Sequence, residues 1–131
     1  MVILDTDIII QSWKDNKAAI NKINYFIDNE IPLEITIINL LEIYRGIHLS
    51  SQFEKNLMIV EEFLEYVDVL NLTVESCKIY GSKYKELKDI GQLINDFDLI
   101  IAAIAVENST SITTRNIKHF EKMKELKIET W

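Results

Sequence analysis

The chain has 131 residues, 48% of them apolar and 27% charged, and carries a formal net charge of −7. That composition excludes a disordered chain and is enough to build a core without disulfide or metal staples. The negative total is the wrong sign for a protein that holds nucleic acid by its overall charge; it suits one that binds a cation or a basic partner.

Three glycines and one proline point to regular elements with short connections, not to a turn-rich sandwich or barrel. The single cysteine, Cys77, permits no internal disulfide and reads as a small buried hydrophobe, which leaves a reducing, cytoplasmic location open. No stretch approaches the roughly 20 apolar residues that a membrane span needs. The opening MVILDTDIII lacks the basic leader and cleavage site of a secretion signal. No repeat or linker interrupts the chain, so residues 1–131 read as one domain.

In chain order, VIL is a short apolar run ending in Asp5 and reads as a buried strand. Between Asn16 and Asn29, Ile20, Ile23 and Ile27 recur at helical spacing. LEITI, residues 33–37, alternates and is β-branched, so it predicts a strand. In INLLEIYRGIHLS, Leu40, Leu41, Tyr44 and Ile47 suggest a helix, and Phe53 to Tyr66 suggests another with Leu57, Val60 and Leu64 on one face. VDVLNL, residues 67–72, reads as a strand, and Thr73 as the cap of a helix through Cys77, Tyr80, Tyr84 and Leu87. The next helix runs from Asp96 to about Asn108, followed by a short strand SITT and a last one in KIETW. Strands alternating with helices predict an α/β fold, a mainly parallel sheet between two helical layers, with any site beyond the carboxyl ends of the strands.

Three acids fall on that edge. Asp5 closes the first strand, where it is either functional or a turn former and helix cap. Asn39-x-x-Glu42 has the spacing of a capping box, and Asn95-x-x-Asp98 repeats it with a shorter acid. Both acids then lie in the first turn of a helix, where the dipole favours negative charge. Asp98, with Asp96, opens onto eight uninterrupted apolar residues, Leu99 to Val106; Asp96 projects elsewhere and reads as solvated. Asp5, Glu42 and Asp98 come from distant segments, and converging carboxylates repel unless a cation holds them. All-oxygen ligands without a cysteine or histidine cluster point to Mg²⁺ or Mn²⁺, which retain water that can be activated against a phosphate.

The segments MVILDTD, INLLEIYRG, NDFDLIIAAIA, TTRNIKHFE and KIETW together resemble a PIN-domain ribonuclease of the VapC toxin family, from the first residues to the last. Asp5 matches the aspartate of L-D-T-N. Glu42 with Gly46 matches T-x-x-E-x-x-x-G, and Asp98 matches the aspartate of D-x-x-I-A-A. Asp96 falls outside the pattern, and Asn116 stands at the fourth position, where an aspartate would add a charge. Asp7 and Asn39 stand where the family has asparagine and serine or threonine.

The resemblance implies a PIN-like three-layer α/β/α sandwich and a Mg²⁺- or Mn²⁺-dependent endoribonuclease that leaves a 5′-phosphate and a 3′-hydroxyl. Asp5 and Asp98 would be the principal metal ligands, with Glu42 directly or through water, and Asn116, with Thr114 or Arg115, would orient substrate or water. It further implies a homodimer held inactive by a VapB-type antitoxin. Bound metal would reverse the local sign of charge. The lysines of KYKELK, residues 83–88, are then either an RNA footprint or a solvated face, with Arg45, Arg115 and Lys118 nearer the motifs. His48 and His119 lack partners at ligand spacing, and Trp13 and Trp131 read as core or interface residues.

Two rivals start from the same residues. Asp5-Thr6-Asp7 after an apolar strand resembles the haloacid-dehalogenase phosphatases, with Asp5 as nucleophile, but the later acids open a helix with no glycine before them. A non-catalytic PIN-fold binding module is the other, since Asn116 removes one potential charge.

Overall fold

A computed structural model describes residues 1–131. Its strands are β1 (Val2–Leu4), β2 (Leu33–Thr36), β3 (Asp68–Leu70), β4 (Ser111–Thr113) and β5 (Ile128–Glu129). The helices are α1 (Thr6–Trp13), α2 (Lys17–Asp28), α3 (Ile37–Leu49), α4 (Phe53–Phe63), α5 (Val74–Asp89), α6 (Asp96–Glu107) and α7 (Ile117–Phe120). All strand pairings are parallel and the order is β3-β2-β1-β4-β5. The order reverses between β1 and β4, the switch point at which open parallel sheets place their ligands.

Alternation along the strands feeds two cores. Val2 and Leu4 of β1 join Ile35 of β2 in a core with Ile8, Phe26, Ile43 and Val60 of the α1–α4 layer. Ile3, between them, faces Leu99, Ile104, Ile112 and Phe120 on the side of α5, α6 and α7. Helix α6 is buried nearly all round, from Leu99 and Ile101 to Ala105. Its three alanines let it run close along α5 and the sheet, which is why the segment is apolar without a polar stripe.

Short connections with few glycines rest on one recurring device. Helices α1, α2, α5 and α6 each end with a left-handed residue, Asp15, Glu30, Gly91 and Ser109. In each case the next N–H returns to a carbonyl five residues back: Asn16 to Gln11, Ile31 to Phe26, Gln92 to Leu87 and Thr110 to Ala105. These are Schellman closures, three of them built without glycine.

Several expectations change. No element is expected from the sequence over Thr6–Trp13 or Ile117–Phe120, which form α1 and α7. On α2 the buried residues are Ala19 and Phe26, while Ile27 is exposed. Cys77 is exposed, not buried. Helix α3 begins directly at the end of β2 with Thr36 as its cap, so Asn39 is its third residue. Thr73 caps α5 as expected. No helix is long and apolar enough to cross a membrane.

Candidate active site

Asp5 leaves β1 at the switch point and caps α1, and its backbone N–H donates to the Thr113 carbonyl of β4 at 3.1 Å. That position seals the side chain to 7% exposure. Its Oδ2 accepts the Thr114 hydroxyl at 2.7 Å; its Oδ1 accepts the Thr6 N–H at 2.9 Å and the Asn39 amide at 3.3 Å. Burial pushes the Asp5 carboxyl up to about 7, with repulsion from Asp7 and Asp98 adding to it and the bonds from Thr114 and Thr6 opposing it. Asp5 thus caps α1, one of its two readings, and does so as a buried acid at the carboxyl edge of the sheet.

The capping-box reading of Glu42 fails, because Thr36 and Asn39 form that box themselves. Asn39 Oδ1 accepts the Thr36 N–H at 2.9 Å, and the Asn39 N–H donates to Thr36 Oγ1 at 3.1 Å. Asn39 is therefore wholly buried, with its amide nitrogen turned to Asp5 and to Thr6 Oγ1. Glu42, in the second turn, is free of helix-end duty and accepts the Thr6 hydroxyl at 2.9 Å. Burial raises its carboxyl above the usual range, Asp98 adds to this, and the Thr6 bond and Arg45 act against it. Arg45 Nη2 stands 4.0 Å from Glu42.

Asp98 does not reach back to its cap either. Asn95 holds the Phe97 N–H, while Asp98 Oδ2 accepts the Asn116 amide at 2.9 Å and meets His119 Nδ1 at 2.5 Å. A carboxylate oxygen only accepts, so both nitrogens direct a hydrogen at it. The 2.8 Å between Asn116 Nδ2 and His119 Nδ1 follows from their sharing one acceptor. Asn116 is fixed in turn by its backbone N–H on Thr114 Oγ1, at 2.9 Å. Asp96 turns away and takes the Tyr80 hydroxyl at 2.7 Å, a bond that pushes that phenol up to about 12.

The four residues singled out by sequence, Asp5, Glu42, Asp98 and Asn116, are thus joined through Thr6, Asn39 and Thr114 at one edge of the sheet. Asn39 was misassigned from sequence and His119 was passed over. No periodic signal points to the latter, because it lies in a four-residue helix capped by Asn116.

No three acidic, histidine or cysteine side chains converge tightly enough to enclose an ion by themselves. The donors nonetheless suit a hard cation: they are carboxylate oxygens, and the charge of Asp98 raises the carboxyls of both Asp5 and Glu42. Few protein ligands with water completing the shell is the habit of Mg²⁺. A cavity of about 450 Å³ lies elsewhere, between α1, α3 and α4, lined by Ile10, Trp13, Ile43, Ile47 and Ile59 together with Lys14, Ser50, Gln52, Lys55 and Asn56. Its lining mixes apolar side chains with polar and basic ones and holds none of these acids.

Of the KYKELK lysines of α5, Lys83 and Lys85 are committed to acids and Lys88 is not. Lys83 pairs with Glu125 at 2.7 Å and Glu86 at 3.2 Å, and Lys85 with Asp89 at 2.6 Å. Trp13 packs edge-on against Phe63 in the core.

Comparison with known proteins gives a consistent picture. A family model described as the PIN domain matches residues 2–126. The tRNA(fMet)-specific endonuclease VapC of Shigella flexneri is 30% identical over 98% of this chain and 96% of its own length. Ribonuclease VapC2 of Haemophilus influenzae is 29% identical with the same coverage. Among solved structures, VapBC2 from Rickettsia felis, bound to a DNA fragment from its promoter, superposes with a TM-score of 0.90 at 27% identity, over 100% of this chain and 99% of that one. VapBC-1 from nontypeable Haemophilus influenzae gives 0.85 at 27% identity, over 100% and 98%.

Proposed function

The chain belongs to the PIN-domain family and, within it, to the VapC ribonucleases, and we propose that Asp5, Glu42, Asp98 and Asn116 form its catalytic site, dependent on Mg²⁺ or Mn²⁺. The reading makes it the endoribonuclease toxin of a toxin–antitoxin pair, acting in the cytoplasm as one domain. The observation that carries the site is Asp5: a buried acid at the β1/β4 switch point, within the field of Asp7 and Asp98 and without a paired cation.

Asp5 and Asp98 are the ligands that would hold the ion, with Glu42 directly or through water. A bound divalent ion supplies positive charge against the carboxylates and acidifies a water for attack on an RNA phosphate. The chain's own residues do the positioning. Thr114 and Asn39 each fix one oxygen of Asp5. Asn116 and His119 hold Asp98 Oδ2, leaving Oδ1 without a protein partner. Thr6 keeps Glu42 turned inward.

The partners follow the same reading: RNA as substrate, a second copy of the chain in a homodimer, and a VapB-type antitoxin as inhibitor. The cavity between α1, α3 and α4, where isoleucines and Trp13 stand beside Lys14 and Lys55 and a Cβ on Gly46 would meet nothing, suits an amphipathic segment of that inhibitor. The test is incubation of the purified protein with total cellular RNA in Mg²⁺, in Mn²⁺ and in EDTA. Discrete fragments bearing 5′-phosphates are expected with either metal and none with EDTA. RNA left intact under all three conditions would remove the reading.

A further inference from the structure

Arg115 stands between the two residues that hold the site's aspartates, Thr114 on Asp5 and Asn116 on Asp98. Unlike Lys22, Lys83 and Lys85, it makes no ion pair with any acid. Its guanidinium instead lies over the indole of Trp131, 3.6 Å from the ring centroid, and its Nε donates to the Trp131 backbone oxygen at 3.3 Å. Nε is thereby used, and the four N–H groups of the two terminal nitrogens remain free at the rim.

Trp131 is itself anchored. It packs against the core that contains Val2, Leu4 and Ile8, and its Nε1 is buried without a partner. An unpaired buried N–H costs stability, and a phenyl ring would fill much of this seat without one. What the indole adds is a broad π face, the best of the aromatic platforms for a guanidinium. Stacking also fixes the plane of the donor fork, so less freedom is lost when it grips a phosphate.

A chain of net charge −7 whose α5 lysines are largely compensated needs local cations to receive a polyanion. We propose that Arg115 contacts a backbone phosphate of the RNA strand entering the acid cluster, and that Trp131 is its positioning residue. This rests on the ribonuclease reading. It places the attraction for RNA at the rim of the site rather than on the lysine face.

The experiment measures binding of a fluorescently labelled single-stranded RNA oligonucleotide across a KCl series in EDTA, where the metal-dependent reaction is silent. It uses the parent protein, Arg115→Ala, Trp131→Phe and Trp131→Leu, each with its melting temperature. Arg115→Ala is expected to weaken binding about tenfold and to lower the slope of log affinity against log salt by about 1. Trp131→Phe keeps a smaller π face and is expected to bind between the parent and Trp131→Leu. Trp131→Leu fills the seat without one and is expected to weaken binding several-fold, appearing in the cleavage assay as a raised KM at unchanged kcat.

Unchanged affinity and slope in Arg115→Ala would overturn the phosphate contact. Equal binding by Trp131→Leu and Trp131→Phe would overturn the platform. A parent protein with no affinity for RNA would overturn the phosphate contact, whereas the ribonuclease reading stands or falls separately on the cleavage assay in Mg²⁺.

Discussion

On the outer face of α5, Lys83 lies 2.7 Å from Glu125 and Lys85 lies 2.6 Å from Asp89. At the carboxyl edge of the sheet, Asp5 is sealed by β1, β4 and α3 and has only neutral hydrogen-bond donors around it. Both regions are dense in charge, but one spends it on internal pairs and the other leaves it uncompensated. Exposed pairs on a helix contribute little and commit nothing. A buried acid held against desolvation and like charge is unstable by itself, and such arrangements mark functional sites. The shifts run in opposite directions: the Glu125 carboxyl is held below its usual range by the Lys83 bond, while Asp5 is driven up.

The largest effect that separates the two regions is pH dependence of stability in metal-free protein. Folded Asp5 keeps its proton up to about pH 7, whereas an unfolded aspartate loses it near 3.8. Between those values the folded state holds the extra proton, so stability falls as pH rises, by an amount on the order of 4 kcal/mol. Urea titrations in EDTA from pH 4 to pH 8 should show the fall, and Asp5→Asn should flatten it. Adding Mg²⁺ at the alkaline end should restore part of the loss. A flat profile in the parent would mean that Asp5 is solvated.

Thr114→Val sharpens the comparison from within the site. It removes the hydroxyl on Asp5 Oδ2 and the acceptor for the Asn116 N–H. The expected cost is about 1–3 kcal/mol, with the Asp5 carboxyl rising further and the fall in stability extending to higher pH. Lys83→Met, on the other face, should change stability by about 1 kcal/mol or less and leave RNA cleavage untouched. A large loss of cleavage in that variant would return α5 to consideration as the RNA footprint.

The site was more legible in the sequence than the helix boundaries around it. Asp5, Glu42 and Asp98 could be placed because each stands at a strand end or near a helix start in an alternating order, and that order alone fixes the functional edge. What hid the rest was physical. Helix α3 follows β2 with no intervening loop, so Thr36 looks like the end of a strand when it is a cap. The displaced start turned Asn39 into an apparent cap and Glu42 into its partner. In α1 the β-branched Ile8 and Ile9 argue locally for a strand, and burial of both beside Phe26 overrides that preference. Helix ends closed by Asp15, Glu30 and Ser109 in the left-handed region carry no glycine to announce them. His119 acts from a four-residue helix, too short for any periodic signal.

The sharpest contrast lies within one turn of α6, where Asp96 and Asp98 share a helix start and diverge. Asp96 faces Tyr80, and Asp98 faces Asn116 and His119. The most direct measurement is metal-dependent RNA cleavage by Asp98→Asn beside Asp96→Asn, with the folded state of each confirmed by its melting curve. The expected result is a loss of about a hundredfold or more for Asp98→Asn and near-parent cleavage for Asp96→Asn. Equal activity in the two variants, or a loss confined to Asp96→Asn, would contradict the placement of the site.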